Sequence, residues 1–152
     1  MIEVKTESWA TVDSQIEAVA SFHWDELALD KLLFQRDLDH EKYFALEKQG
    51  MLHVVTARSH GDLIGYIICF VMPHMHYKSS GLVALADMYY LLREHRLGGL
   101  GVRMFREMER GLKERGVIRA HMSCKKHEDH TRLFEAMGWD LTDYTFSKVL
   151  CR

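Results

Sequence analysis

Residues Asp87–Gly116, with the sequence DMYYLLREHRLGGLGVRMFREMERGLKERG, decide the fold of this chain. They predict a buried strand, a glycine-containing turn and one long amphipathic helix that ends at Gly116. The turn, Arg96–Gly101, has the pattern R-x-x-G-x-G. A glycine turn that opens a helix exposes unpaired N–H groups at the positive end of the helix dipole, where a phosphate binds well. Close packing alone would also favour these glycines, so the turn by itself leaves both interpretations open.

The composition is that of an ordinary globular protein. The chain has 152 residues, one proline and a formal net charge of −2, which predicts a single domain over residues 1–152 and no overall attraction to nucleic acid. The sequence contains no signal-peptide pattern and no apolar run of membrane-spanning length. Its three cysteines are widely spaced. We therefore expect free thiols and a cytoplasmic location rather than disulfides or a zinc site.

The remaining segments alternate between helical and strand-like patterns. Two helices are predicted before residue 51, one starting near Asp13 or Ser14 and one running from Asp39 to Gly50. A short helix is predicted to end at Gly138. Strand-like segments occupy residues 52–58, 63–72, 82–92, 117–124 and 139–150.

This order of elements predicts an α/β fold with a mixed sheet. The strands at 52–58 and 63–72 form a hairpin and are therefore antiparallel. The later β-α-β-α-β order predicts a parallel, right-handed crossover through the long helix. Helices are expected on both faces of the sheet.

The first fifty residues are acidic. They contain eleven Asp and Glu residues against five Lys and Arg residues. Solvated helix faces would explain this excess, and so would an acidic rim that attracts a cationic partner. The sequence alone leaves both explanations open.

Two short motifs, taken with this order of elements, resemble the GNAT acyltransferase superfamily. Residues 93–101 read REHRLGGLG, where the superfamily commonly has PEYRGKGIG, and residues 133–139 read LFEAMGW, which resembles its L-Y-E-x-x-G-F motif. The resemblance covers nearly the whole chain. A narrower likeness, to a branch common in phages and prophages, rests on His74–Tyr77, residues 87–96 and the segment YTFSKVL at 144–150.

The resemblance implies the fold and the donor site. It implies a GNAT-like acyltransferase fold with a splayed central sheet, in which the pantetheine arm of acetyl-CoA lies between the strand carrying Leu91 and the strand near residues 120–123. The backbone N–H of Leu91 or Leu92 would polarise the thioester carbonyl. The Arg96 side chain would meet the phosphates of coenzyme A. The pyrophosphate would be held by the amides of Leu97, Gly98, Gly99, Leu100, Gly101 and Val102.

The resemblance also implies the reaction, which is N-acyl transfer from acetyl-CoA to a primary amine. The acceptor would be a small molecule or a protein amino group that attacks directly in a ternary complex. Cys124, at a strand end without an evident activating partner, is a weak candidate for a nucleophile. The alternatives are a non-catalytic acyl-CoA-binding regulator and a module that binds a host protein. No metal, membrane or nucleic-acid partner is expected, and dimers are common among proteins of this resemblance.

Asp87 is the first candidate for the base that takes the proton of the amine. It is an acid in an otherwise apolar strand, and by period two its side chain is expected on the face of Tyr89 and Leu91. Burial there would raise its pKa and suit a base near neutral pH. A structural acid that accepts hydrogen bonds is the alternative. His76, in a polar loop, is the second candidate, because an imidazole titrates near neutral pH.

Two residues depart from the family pattern. Phe134 stands where many members place a tyrosine that protonates the leaving thiolate, and phenylalanine cannot donate a proton. That role would pass to Tyr144, to Tyr90 or to water. His127 stands at the family's asparagine, where it would contact the pantetheine amide or a phosphate.

Overall fold

The structure is a computed structural model that describes residues 1–150. Its main elements alternate in the order that the sequence predicts, with one additional strand at the start. In chain order they are β1 (Ile2–Glu7), α1 (Trp9–Leu27), α2 (His40–Lys48), β2 (Leu52–Ser59), β3 (Asp62–Pro73), β4 (Leu82–Leu91), α3 (Leu100–Glu114), β5 (Val117–His121) and α4 (Thr131–Ala136).

The strands form one five-stranded mixed sheet in the order β1-β2-β3-β4-β5. The pairs β1–β2, β2–β3 and β3–β4 are antiparallel, whereas the pair β4–β5 is parallel. One hydrophobic cluster lies between the sheet and helices α3 and α4, and a second lies between the sheet and helices α1 and α2. The expected mixed sheet with helices on both faces is therefore confirmed.

Helix α3 packs against the sheet because its apolar side chains recur at helical spacing. Its buried side chains are Leu100, Met104, Phe105, Met108 and Leu112. The opposite face carries four exposed bases, Arg103, Arg106, Arg110 and Lys113. Helix α3 thus gives the glycine turn at its N-terminus a rigid support.

Two predictions about the chain ends were wrong. Strand β1 was not predicted from the sequence; its segment IEVKTE is mostly polar but pairs with β2 along its whole length. Helix α1 begins at Trp9, before the predicted start near Asp13 or Ser14. Residues 139–150 were predicted as strands, but they form none. Alternation of apolar residues makes a strand only where a partner strand is available, and in the described chain none pairs with this segment.

A β-bulge lies at Asp87. Met88 pairs with Ile68 and Ala86 pairs with Cys69, so Asp87 is one extra residue in β4. The bulge breaks the period-two alternation. Asp87 therefore does not share the face of Tyr89, and the expectation that it does was wrong.

Strands β4 and β5 separate just before the bulge. Their pairing runs from Leu82–Val117 to Leu85–His121 and stops there. The edge of β4 from Ala86 to Leu91 is therefore open on the β5 side. This gap corresponds to the splay that the family resemblance implies.

Candidate active site

A cleft, called here the larger cleft, lies in this gap. It has a volume of about 270 Å³. Its walls come from α1, β3, β4, the glycine turn, α3, the segment before α4 and α4 itself. The lining residues are Glu26, Leu27, Tyr66, Ile67, Tyr89, Tyr90, Leu91, Arg96, Gly101, Met104, Phe105, Glu128, His130 and Leu133.

The glycine turn places free backbone donors at the edge of the larger cleft. Gly98 and Gly99 adopt left-handed φ angles of 78° and 76°, which favour glycine. The Gly99 carbonyl accepts from the Arg103 N–H at 3.1 Å. The N–H groups of the first helical residues, Leu100, Gly101 and Val102, come before this bond and have no helical acceptor.

Gly101, which carries one of these N–H donors, borders open space. A Cβ atom placed on Gly101 would meet no other group within 4 Å, and Gly101 also lines the larger cleft. Packing within the protein therefore does not explain why glycine stands here. A ligand that approaches the backbone would explain it, and the unpaired N–H groups suit a pyrophosphate.

The Leu91 amide faces the open edge of β4. The Leu92 N–H donates to the Ile64 carbonyl at 2.9 Å, so its amide is used within the sheet. Alternation along the strand then turns the Leu91 N–H away from β3 and toward the gap. Gly65, opposite Leu91, permits this close pairing, since a Cβ there would lie 2.8 Å from the Tyr90 carbonyl. Of the two predicted amides, Leu91 is the one placed to meet a ligand in the gap.

Arg96 is engaged within the protein. Its two terminal nitrogens donate to the Glu26 carboxylate at 2.6 and 2.8 Å, and its Nε donates to the Leu91 carbonyl at 2.9 Å. The Tyr90 hydroxyl also donates to Glu26 at 2.6 Å. The Arg96 guanidinium, with help from Tyr90, lowers the pKa of Glu26 to about 2. In this structure the Arg96 guanidinium contacts α1. The contact with phosphates that the family resemblance implies for Arg96 stays a prediction.

A smaller cleft of about 110 Å³ adjoins the larger one. Four residues line both clefts: Leu27, Tyr89, Glu128 and His130. The smaller cleft also has His23, Asp87, Met88, Ser123, Cys124 and Lys125 on its walls. The two clefts therefore meet at β4, with Leu91 in one and Asp87 in the other.

Asp87 keeps an exposed surface in the smaller cleft, although much of its carboxylate is surrounded by protein. Desolvation raises its pKa, and a hydrogen bond donated by the Tyr43 hydroxyl opposes this shift. The predicted direction of the pKa shift is thus the one found. The bond to Tyr43 of α2 was not foreseen.

His23 is a site residue that the sequence did not reveal. Its Nδ1 lies 2.7 Å from the Tyr66 hydroxyl, and its ring stacks on Tyr90 with the centroids 5.0 Å apart. Burial lowers the pKa of His23 to about 4, so the ring is neutral at pH 7. The only signal in the sequence was a histidine within the apolar stripe of a helix.

Several predicted residues lie elsewhere. His76 is exposed in the turn between β3 and β4, beyond the last pair, Pro73–Leu82. Tyr144 is 81% exposed and lines neither cleft. His127 is exposed, and its neighbours Glu128 and His130 line the clefts instead.

Phe134 belongs to the aromatic packing beside the clefts. Its ring lies edge-on to Phe105, with centroids 5.3 Å apart, and edge-on to Tyr89 at 6.3 Å. Within residues 1–150 no three His, Cys, Asp or Glu side chains cluster as a metal site would require. None of the helices described is both long and apolar enough to span a bilayer.

The family model of the acetyltransferase (GNAT) family matches residues 15–139. The chain belongs to this family. No protein with a curated function matches the sequence. The glycine turn and the gap between β4 and β5 thus belong to a GNAT protein. The phosphate cradle at the glycine turn stays a prediction.

Solved structures share the fold at low sequence identity. A ribosomal-protein-alanine N-acetyltransferase from Brucella melitensis biovar Abortus 2308 superposes with a TM-score of 0.71 at 13% identity, with 100% of both chains covered. An aminoglycoside acetyltransferase from an uncultured soil metagenomic sample, in complex with sisomicin, gives 0.72 at 13% identity, covering 99% of this chain and 97% of that one. A predicted acetyltransferase from Clostridium acetobutylicum, in a structure with acetyl-CoA, gives a TM-score of 0.71 at 15% identity, covering 99% of this chain and 97% of that one. At these identities the likeness establishes the fold alone.

Proposed function

We propose that this GNAT protein transfers an acetyl group from acetyl-CoA to a primary amine within one ternary complex. The observation that carries the proposal is the junction of the two clefts at β4. The outward N–H of Leu91 lies in the larger cleft, and the carboxylate of Asp87 lies in the smaller one. A donor and an acceptor bound in these clefts would meet beside Tyr89.

The residues of the larger cleft suit coenzyme A. The unpaired N–H groups from Leu100 to Val102 would hold the pyrophosphate, and the space above Gly101 would admit it. When bound, acetyl-CoA supplies a thioester carbonyl that an amine can attack. The pairing of β4 with β3 fixes the position of the Leu91 N–H. This N–H would donate to that carbonyl oxygen.

Asp87 is proposed as the base on the acceptor side. An amine is protonated at neutral pH and must lose a proton before it can attack. A carboxylate in the smaller cleft would both attract the ammonium group and receive its proton. His23, which is neutral at pH 7, would leave the negative charge of Asp87 unopposed from the α1 side.

The proton for the leaving thiolate is assigned to water. Phe134 has no proton to give, and Tyr144 is 81% exposed away from the clefts. The Tyr89 hydroxyl donates to the Ser123 carbonyl at 2.8 Å, and that of Tyr90 donates to Glu26. The third tyrosine of the larger cleft, Tyr66, has its hydroxyl 2.7 Å from Nδ1 of His23. All three tyrosines of this cleft are therefore already hydrogen-bonded, whereas the cleft is open to solvent.

The neighbours support an amine acceptor but differ in its size. One is by its printed name a ribosomal-protein-alanine N-acetyltransferase, and another is an aminoglycoside acetyltransferase bound to sisomicin. The carboxylates of Asp87 and Glu128 in the smaller cleft favour a cationic group in either case.

A non-catalytic acyl-CoA-binding regulator is the second candidate. Phe134 favours it, because the usual proton donor to the thiolate is absent at this position. Two measurements separate the candidates. Thermal unfolding with acetyl-CoA tests the donor site, since a ligand at a hundred times its Kd adds about 2.7 kcal/mol to the free energy of unfolding. Thiol release with a panel of amines tests transfer.

An enzyme gives both a thermal shift and thiol release that depends on the amine. A regulator gives the shift without release. Absence of both contradicts both candidates.

A further inference from the structure

Tyr43 anchors helix α2 to the rest of the protein. No side chain of α2 is fully buried. The Tyr43 ring nevertheless stacks on Trp9, with centroids 4.3 Å apart and planes at 21°, and on Phe70 at 6.5 Å and 23°. Trp9 is completely buried. Because two neighbours hold the ring, the position of its hydroxyl is fixed.

That hydroxyl donates to Oδ2 of Asp87. Asp87 is the extra residue of the β4 bulge and is thus free of the strand alternation. A bulge can re-aim one side chain without moving its neighbours. Here it brings the carboxylate within reach of α2 while Tyr89 stays in the cluster under α3.

We propose that Tyr43 is a positioning residue for acetyl transfer, whose hydroxyl holds the Asp87 carboxylate at the smaller cleft in its ionised form. The inference rests on the proposed function, in which Asp87 is the base. It makes α2 a functional part of the acceptor site.

Charged and titratable groups approach Asp87 from every element packed around it. They are His23 of α1, Tyr43 of α2, Tyr66 and Cys69 of β3, Tyr89 of β4, and Cys124, Lys125, Glu128 and His130 after β5. Burial raises the pKa of Asp87, and the bond from Tyr43 lowers it. The Tyr43 hydroxyl therefore keeps the base charged at lower pH than burial alone would allow.

The test is Tyr43→Phe, which keeps the stacked ring and removes the donor. The first measurement is a carbon-13 NMR titration of the Asp87 carboxyl in the wild type and in Y43F, which needs no enzymatic activity. We expect the Asp87 titration to move to higher pH in Y43F. The second measurement is kcat/KM for thiol release against pH. On the acidic limb, where the rate rises with pH, we expect kcat/KM of Y43F to be about tenfold lower than that of the wild type. At higher pH the two should converge. A hydrogen bond to a charged group contributes about 1.5 kcal/mol or more, which corresponds to about tenfold.

Tyr77→Phe is the matched control, because Tyr77 is exposed in the turn between β3 and β4 and lines neither cleft. It should leave the titration and the limb unchanged. An unmoved Asp87 titration in folded Y43F, or a loss of rate equal at every pH, would overturn the inference. If the wild type acetylates no amine while the NMR titration still moves, the proposed function fails and the bond to Tyr43 stands as a structural one.

Discussion

The Arg96 guanidinium donates hydrogen bonds to both carboxylate oxygens of Glu26, at 2.6 and 2.8 Å. These bonds connect the end of α1 to the turn that precedes α3. The same guanidinium donates to the Leu91 carbonyl, beside the amide proposed to meet the donor. Glu26 and Arg96 are 15% and 30% exposed. The pair is therefore partly sheltered from solvent, and it connects the glycine turn to α1, whose residues line both clefts.

A double-mutant cycle measures this coupling. Glu26→Gln, Arg96→Gln and the double variant should show a coupling in the free energy of unfolding of about 1–2 kcal/mol, since paired, partly buried charges interact more strongly than surface pairs. Each single variant should also weaken acetyl-CoA binding, measured by calorimetry. The exposed pair Arg110–Glu114 is the control, and its removal should leave binding unchanged. Purely additive Glu26 and Arg96 effects would contradict this account.

Substitutions of Gly101 test the phosphate cradle. Gly101→Asp places a carboxylate in the first turn of α3, where it interacts favourably with the helix dipole. The same charge repels a bound pyrophosphate, so the apo protein should melt no lower while the thermal shift with acetyl-CoA disappears. Gly101→Asn has nearly the same shape without the charge, and it should keep more of the shift. Equal shifts in the wild type and in G101D would place the coenzyme elsewhere.

The buried side chain of His53 is expected to make the free energy of unfolding depend on pH. It is 3% exposed under Gly111 of α3, its Nε2 has no hydrogen-bond partner, and burial lowers its pKa to about 4. The unfolded chain takes up this proton near the ordinary value of 6.5. The free energy of unfolding should therefore fall as the pH falls from about 6.5 toward 4.

His53→Leu should flatten this dependence in urea titrations at several pH values. His23, shifted in the same direction, keeps part of the slope. His127→Asn, at an exposed position, is the control and should keep the whole slope. A slope unchanged in H53L would show that His53 does not carry it.

Cys124 decides between direct attack and an acyl-enzyme. Its thiol lies on the wall of the smaller cleft, 3.7 Å from an oxygen of Asp129. The direct attack by the amine that we propose needs no nucleophile from the protein. Cys124→Ser should keep kcat within about threefold of the wild type, far from the loss of a nucleophile. Mass spectrometry after incubation with acetyl-CoA alone should find no acetylated Cys124, and finding one would support the covalent route.

Local patterns in the sequence predicted the central elements of the fold. The hairpin β2–β3, helix α3 and the turn Gly98–Gly101 follow from periodicity and glycine, which act over a few residues. The bulge at Asp87 could not be predicted, because an extra residue is defined only against the partner strand. The bond between Arg96 and Glu26 joins residues seventy positions apart and depends on how α1 docks. His76 and Tyr144 were candidates by residue type, and His127 was a candidate by its position in the family pattern. Tertiary packing leaves all three outside the clefts.

Asp87→Asn tests the central claim most directly. Asparagine keeps the size of the side chain and its bond to Tyr43 but cannot accept a proton. With an amine that the wild type acetylates, thiol release should fall about a hundredfold or more in kcat, the usual loss for a general base. The affinity for acetyl-CoA should remain that of the wild type. Equal kcat in D87N and the wild type, at a pH where the amine is mostly protonated, would contradict the account.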